Sequence, residues 1–201
     1  MSRFVHLHLH TEYSLVDGAV RIGSEKKDDG TLVREGLIDA CVRLGMPAVA
    51  VTDQSNLFAL VKFYKAALAR GVKPLVGVDL WLREEGERVE PSRLVLLCQD
   101  ARGYANLTRL VSRAYLEGQG KHGPTVARDW LDRDTTAGLV ALSGAREGDV
   151  GRALLAGRDD EAALALDDWL KLFGDRYYLE LTRTGRAGEE DCIAGSLALA
   201  V

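Results

Sequence analysis

Phe4-Val5-His6-Leu7-His8-Leu9-His10 alternates imidazole with aliphatic side chains, and that period of two predicts a strand. On a pleated backbone His6, His8 and His10 share one face, while Val5, Leu7 and Leu9 share the other. Neutral imidazoles two residues apart can converge on one metal ion if the fold adds carboxylates. The competing reading is a strand whose histidines hydrogen-bond inside a buried polar layer.

The segments after it make this strand the first of a repeating pattern. From Leu32 to Leu44, Val33, Leu37, Cys41 and Leu44 recur at helical spacing, and Gly45 and Pro47 supply the stop. Ala48-Val49-Ala50-Val51 is then a short, fully apolar strand. Strand, helix, strand in that order is a parallel crossover unit. The next helix is expected over 57–70, with Asn56 as its N-cap and Leu57, Leu60, Val61, Tyr64 and Leu68 on its inward face. Strands follow at 74–82, 93–98, 139–142 and 177–181. Helices follow at 103–116, with Leu107, Leu110, Val111 and Ala114 inward, then at 149–156 and 161–173, and from Gly188 onward. The helix at 161–173 draws on Leu164, Trp169, Leu170 and Phe173. Short runs that are apolar on both faces suit the inner strands of a parallel or barrel-like sheet. The last helix normally leads into one more strand, so the chain is expected to stop inside its own domain.

Loops at the carboxyl ends of strands are where α/β folds keep their chemistry. The loop 11–18 carries Asp17 there, and Thr52-Asp53-Gln54-Ser55-Asn56 follows the second strand. Residues 23–31 read as a solvated surface insertion, 84–87 as an acidic turn, and 117–125 as a flexible loop with His122 as a solvated side chain.

Composition limits the function classes. With 201 residues and 47% apolar composition, residues 1–201 suit one domain with an ample core. A formal charge of -4 argues against a domain that wraps nucleic acid by itself. Cys41, Cys98 and Cys192 are odd in number and scattered through apolar runs, which predicts buried thiols in a reducing, cytoplasmic compartment. No apolar run reaches the roughly 18 residues that span a bilayer, so no membrane partner is expected.

Three long segments carry a resemblance: Phe4 to Gly18, Leu44 to Tyr64, and Gly71 to Asp79. Gly-Tyr-Ala-Asn-Leu-Thr from Gly103, Leu-Ser-Gly-Ala-Arg-Glu-Gly-Asp-Val-Gly from Leu142, and Arg-Tyr-Tyr-Leu-Glu-Leu-Thr-Arg-Thr-Gly from Arg176 extend it. Together they resemble the polymerase and histidinol phosphatase (PHP) domain, in the version found at the amino terminus of bacterial replicative polymerases. The resemblance implies an α/β fold, a distorted seven-stranded (β/α) barrel, here incomplete at its carboxyl-terminal end. In active relatives the strand ends bind two or three metal ions for phosphoester hydrolysis.

By motif position the resemblance makes His8, His10, Asp17 and Asp79 the surviving metal-ligand positions. It makes Gln54, Arg93 and Ala145 positions where metal-binding members carry ligands and this chain does not. A multinuclear site needs several carboxylates or imidazoles to offset the mutual repulsion of its ions. A fixed guanidinium at Arg93 opposes a cation there by Coulomb repulsion. An alternative to a metal cluster is that Arg93 takes the vacated position and pairs with Asp17 or Asp79, leaving a former active site as a buried salt-bridged core.

The implied role is a structural and docking module, with no catalytic residue and no cofactor of its own. Its implied partners are a proofreading 3′–5′ exonuclease and the remainder of the polymerase subunit, with DNA held by other domains and magnesium serving the polymerase site. The alternative is a working phosphoesterase or nuclease that keeps zinc or manganese on the four surviving positions. A third reading is a free-standing barrel that binds a phosphorylated ligand.

Overall fold

The computed structural model describes residues 4–83, 90–121 and 123–200. The acidic turn 84–87 and His122 lie outside the described residues. The chain forms two compact units, Met1–Val78 and Asp79–Val201.

In the first unit, β1 (Glu25–Lys26) and β2 (Leu32–Arg34) form a solvent-exposed antiparallel ribbon. Helix α1 (Leu37–Arg43) follows, then β3 (Ala48–Val51), helix α2 (Leu60–Ala69) and β4 (Lys73–Arg83), whose second half continues beyond the unit. β3 pairs in parallel with the start of β4, Ala48 opposite Lys73 and Val51 opposite Val76, so β3, α2 and β4 form a parallel crossover unit, one step later than the unit expected from the histidine stretch to β3. Ile22, Leu37, Ile38, Cys41, Val49, Phe63, Ala67 and Val72 form the core against β3.

Four expectations fail in this unit, each for a local reason. The histidine stretch is not a regular strand: it bends at Leu7 and His8. Main-chain bonds still tie it to β3, since Ala50 N donates to His6 O at 2.8 Å and Thr52 N to Leu9 O at 2.9 Å. Leu7 consequently faces solvent, against the strict alternation. The helix expected from Leu32 begins only at Leu37, because Leu32 and Val33 belong to the exposed ribbon. Helix α2 buries Phe63 and Ala67, with Ala59 buried just before it, and leaves Val61, Tyr64 and Leu68 exposed. One large ring on the Ala-Phe-Ala face outweighs the smaller residues counted on the other. Asn56 does not cap α2, which starts after Ala59. It instead forms an Asx turn, accepting from Phe58 N at 3.0 Å.

The second unit runs from the later half of β4 through β5 (Ser92–Cys98), helix α3 (Ala101–Glu117), β6 (Gln119–Gly120), β7 (Gly123–Ala127) and β8 (Leu139–Leu142). Helices α4 (Asp149–Leu155) and α5 (Asp159–Phe173), strand β9 (Tyr177–Tyr178) and helix α6 (Glu189–Leu199) complete it. Asp100 caps α3, its Oδ1 accepting from Gly103 N at 2.8 Å. Gly103 must stay small, because a Cβ there would lie 1.8 Å from Gly138 O. α3 buries Leu107, Leu110, Val111 and Ala114, as its periodicity predicts. In α5, Trp169 and Phe173 are buried but Leu164 is exposed. Trp169 instead takes the stacking role, lying parallel to Tyr177 at 5.7 Å between centroids. In the predicted flexible loop 117–125, β6 pairs antiparallel with the start of β7, Gln119 opposite Pro124 and Gly120 opposite Gly123.

The strands form a mixed sheet in the order β6-β7-β4-β5-β8-β9, with β3 paired to β4. β7 runs parallel to the end of β4, while β5 and β8 run antiparallel. The fold is α/β as expected, but among the described residues the sheet does not close into a seven-stranded barrel. A (β/α) barrel closes on parallel strands joined through helices, and the antiparallel β5–β8 pair departs from that pattern. No helix among the described residues is long and apolar enough to cross a membrane.

Candidate functional site

The first unit gathers polar groups at the carboxyl end of β3. Asp53 is fully buried and accepts three hydrogen bonds: from Thr11 N at 2.6 Å and Ser14 Oγ at 2.7 Å on Oδ1, and from Thr11 Oγ1 at 2.7 Å on Oδ2. Ser14 Oγ in turn accepts from Gln54 N at 2.9 Å, and Asn56 Nδ2 donates to Tyr13 O at 3.1 Å. These bonds pin the loop after the histidines to the loop after β3. Hydrogen bonding to a charged carboxylate is what makes its burial tolerable.

His8 and His10 are half-buried and meet edge to face, with ring centroids 5.3 Å apart. His6 is exposed and packs its ring on Phe4 at 4.8 Å. Asp17 is exposed on the outer part of the loop, where Leu15 and Val16 are also almost fully exposed. Gln54 lies half-buried beside Asp53. The structure thus joins His8 to His10, and places Gln54 at the same strand end.

The second unit holds the other positions. Asp79 is completely buried on β4, one residue beyond Val78, and its Oδ2 lies 2.5 Å from Arg93 Nη1 on β5. Arg93 Nε lies 2.6 Å from Glu147 Oε2, and the guanidinium sits 4.7 Å from the centre of the Trp81 ring. Arg93 therefore stands between two carboxylates and against an aromatic face. Such a planar, forked cation is neutralised on both sides and shielded from water. Of the two pairings the sequence allows, the Asp79 one is present.

Ala145 belongs to the same group. Gly144, at φ 71°, packs so closely on β5 that a Cβ would lie 2.7 Å from Arg93 O. Ala145 itself is buried with φ 47°, a left-handed conformation unfavourable for a residue with a Cβ. The turn after β8 is held against Arg93 at the cost of that strain. Glu147, Trp81 and Asp53 were not among the residues singled out from sequence. Asp53 could have been found from its place directly after an apolar strand; Glu147 carried no local signal.

The chain matches a family model described as the PHP domain over residues 6–184. The DNA polymerase III subunit alpha of Pseudomonas aeruginosa is 47% identical over 197 residues, which is 98% of this chain and 16% of that protein. The same subunit of Escherichia coli K12 is 41% identical over 198 residues, with the same two coverages. The chain spans about a sixth of the length of these relatives, 16% of each. An amidohydrolase from Chromobacterium violaceum, solved with bound sulfate and no metal, aligns over 57% of this chain and 34% of its own at 22% identity, with a TM-score of 0.40. That likeness is too low to bear on the fold. The family match covers both groups of site residues, His8 and His10 in one unit and Asp79, Arg93 and Ala145 in the other, and the chain belongs to the PHP domain family.

Proposed function

We propose that this chain is the PHP region of a DNA polymerase III alpha subunit, and that it serves there as a structural and docking module for the proofreading 3′–5′ exonuclease. The parent activity, DNA-directed DNA polymerisation with magnesium, then resides outside these 201 residues. The net charge of -4 agrees with DNA being held elsewhere.

The observation that carries the non-hydrolytic reading is the Arg93–Asp79 pair. A cluster of two or three cations does not fit this donor set. Arg93 brings a fixed positive charge to a former ligand position and occupies the carboxylates of Asp79 and Glu147, while Gln54 and Ala145 offer weak or no ligation. Asp17, the fourth surviving position, is exposed on its loop.

A second reading retains one zinc or manganese ion and phosphoesterase or nuclease activity. Its support is that His8 and His10 of the first unit lie together, half-buried, with ring centroids 5.3 Å apart. Those residues would supply two imidazoles, ligands that suit zinc.

Both readings meet one experiment on the full-length protein that carries this chain. Metal content is measured by mass spectrometry beside a His8→Ala/His10→Ala variant, and each protein is run with the exonuclease subunit on a sizing column. The docking reading expects no metal that depends on the histidines and co-elution of both proteins with the exonuclease. Near-stoichiometric zinc or manganese, lost in the variant together with phosphoesterase activity, would establish the second reading instead.

A further inference from the structure

Helix α3 presents Arg102, Asn106, Arg109 and Arg113 at steps of four, three and four residues, which places them along one face. With Trp130 and Asp134 they line a groove of about 310 Å³ in the second unit. None of these residues belongs to the Asp79 site.

Three arginines stand here with Asp134 in the lining and with Glu117 and Asp132 beside it, Asp132 Oδ1 accepting from Thr135 N at 2.8 Å. Arg102 Nη2 lies 3.2 Å from Asp134 Oδ1, and Arg113 Nε lies 2.8 Å from Glu117 Oε2. Arg109 Nη1 donates to Asn106 Oδ1 at 3.3 Å. Each guanidinium carries five N–H groups, so these bonds leave donors over. The groove's capacity for an anion therefore rests on these spare donors, above all those of Arg109, which pairs with the neutral Asn106.

The fixed parts of the groove decide which anion it suits. Trp130 is only 9% exposed, and Arg113 Cζ lies 4.0 Å above its ring. That face is already occupied, so it is not a platform for stacking a base. Asn106 is buried, its amide donating to Asp134 O at 2.8 Å and Ala137 O at 3.0 Å, so it is not set to read a base edge. What remains is the forked recognition of carboxylates. Arg109 and Arg113 are one helical turn apart, about 6 Å along the axis. Carboxylates at alternate positions of an extended peptide are about 6.6–6.8 Å apart and point the same way.

We propose that this groove binds an extended acidic peptide segment, with acidic side chains two residues apart on Arg109 and Arg113. The test uses the full-length protein that carries this chain and a short fluorescein-labelled peptide alternating glutamate and leucine, read by fluorescence anisotropy. A glutamine-for-glutamate peptide and oligothymidylate are the comparison probes. Arg109→Gln and Arg113→Gln are the variants. Arg109→Gln leaves the Trp130 contact intact, and melting temperatures establish that each variant is folded. The expected result is binding of the acidic peptide, weakened about tenfold or more in each folded variant, with weaker binding of both comparison probes. Equal binding of the glutamine peptide, or unchanged affinity in both folded variants, would overturn the proposal. Tighter binding of oligothymidylate that is lost with the arginines would also overturn it and assign the groove to nucleic acid.

Discussion

Arg93 reaches from β5 to the fully buried Asp79 on β4, Nη1 to Oδ2 at 2.5 Å, and its Nε contacts Glu147 at 2.6 Å. Asp79 keeps its charge in the interior because a cation of fixed charge accompanies it. Removing that cation alone strands a buried carboxylate, so Arg93→Met is expected to destabilise the protein by about 3–5 kcal/mol. Replacing both, as Asp79→Leu/Arg93→Met, is expected to recover most of the loss, since an apolar pair of similar volume often replaces a buried ion pair at little cost. Urea denaturation of the parent, both single variants and the double variant measures this. A single variant as stable as the parent would show that the pair does not hold the two strands.

Asp53 organises the other unit in the same manner, with neutral donors in place of a cation. Asp53→Asn exchanges one acceptor oxygen for an amide that faces donors from Thr11 or Ser14. An expected loss of about 1–3 kcal/mol follows from leaving buried donors unsatisfied. The loop 11–17 should also exchange its amide hydrogens faster, while those of β3 stay protected. Uniform exchange across both would show that the carboxylate does not act on the loop alone.

The parts of the fold legible in the sequence are those where burial alone decides. β3, β4 and β5 are apolar runs with few alternatives, and α3 keeps Leu107, Leu110 and Ala114 on a face that tertiary packing uses unchanged. Elsewhere packing overrides pattern. Leu32 and Val33 look like the first turn of a helix yet lie in an exposed ribbon, and α2 turns Phe63 inward at the expense of Val61 and Leu68. Barrel closure depends on which strand edges meet, and a sequence states strand order without stating direction. In the site, the Arg93–Asp79 pairing could be foreseen because a charge at a ligand position demands a counter-charge. Glu147 could not, since its approach to Arg93 depends on the left-handed turn at Gly144 and Ala145.

The three cysteines are free, with Cys41 and Cys192 buried and Cys98 half-buried. Burial raises all three thiols, and Cys98, with Asp100 nearby as a smaller cause, is pushed up to about 11 from 9.0. The reactive thiolate at Cys98 is then about 100-fold scarcer near neutral pH than in the unfolded chain. Iodoacetamide is expected to leave the native protein almost unmodified and to add to all three cysteines in denaturant, as read by intact mass. Rapid native labelling at Cys98 would contradict its burial.

Glu189 gives the fold an acid limit. At the first position of α6 its carboxylate accepts from Thr184 N at 2.7 Å, Gly185 N at 2.8 Å and Arg186 N at 3.2 Å, and from the Thr184 hydroxyl. These donors favour the charged form, the Thr184 hydroxyl most, and hold its pKa below the ordinary glutamate value of 4.5. A carboxylate whose folded pKa is lowered binds its proton more readily in the unfolded chain. Its contribution is therefore complete above about pH 4.5 and is lost as pH falls through the lowered folded value. Glu189→Gln keeps the shape of the side chain but lacks that titration. Thermal melts of parent and variant are expected to differ most at neutral pH and to converge as pH is lowered into the acid range. A gap that stays constant over that range would mean that the carboxylate's charge does not stabilise this turn.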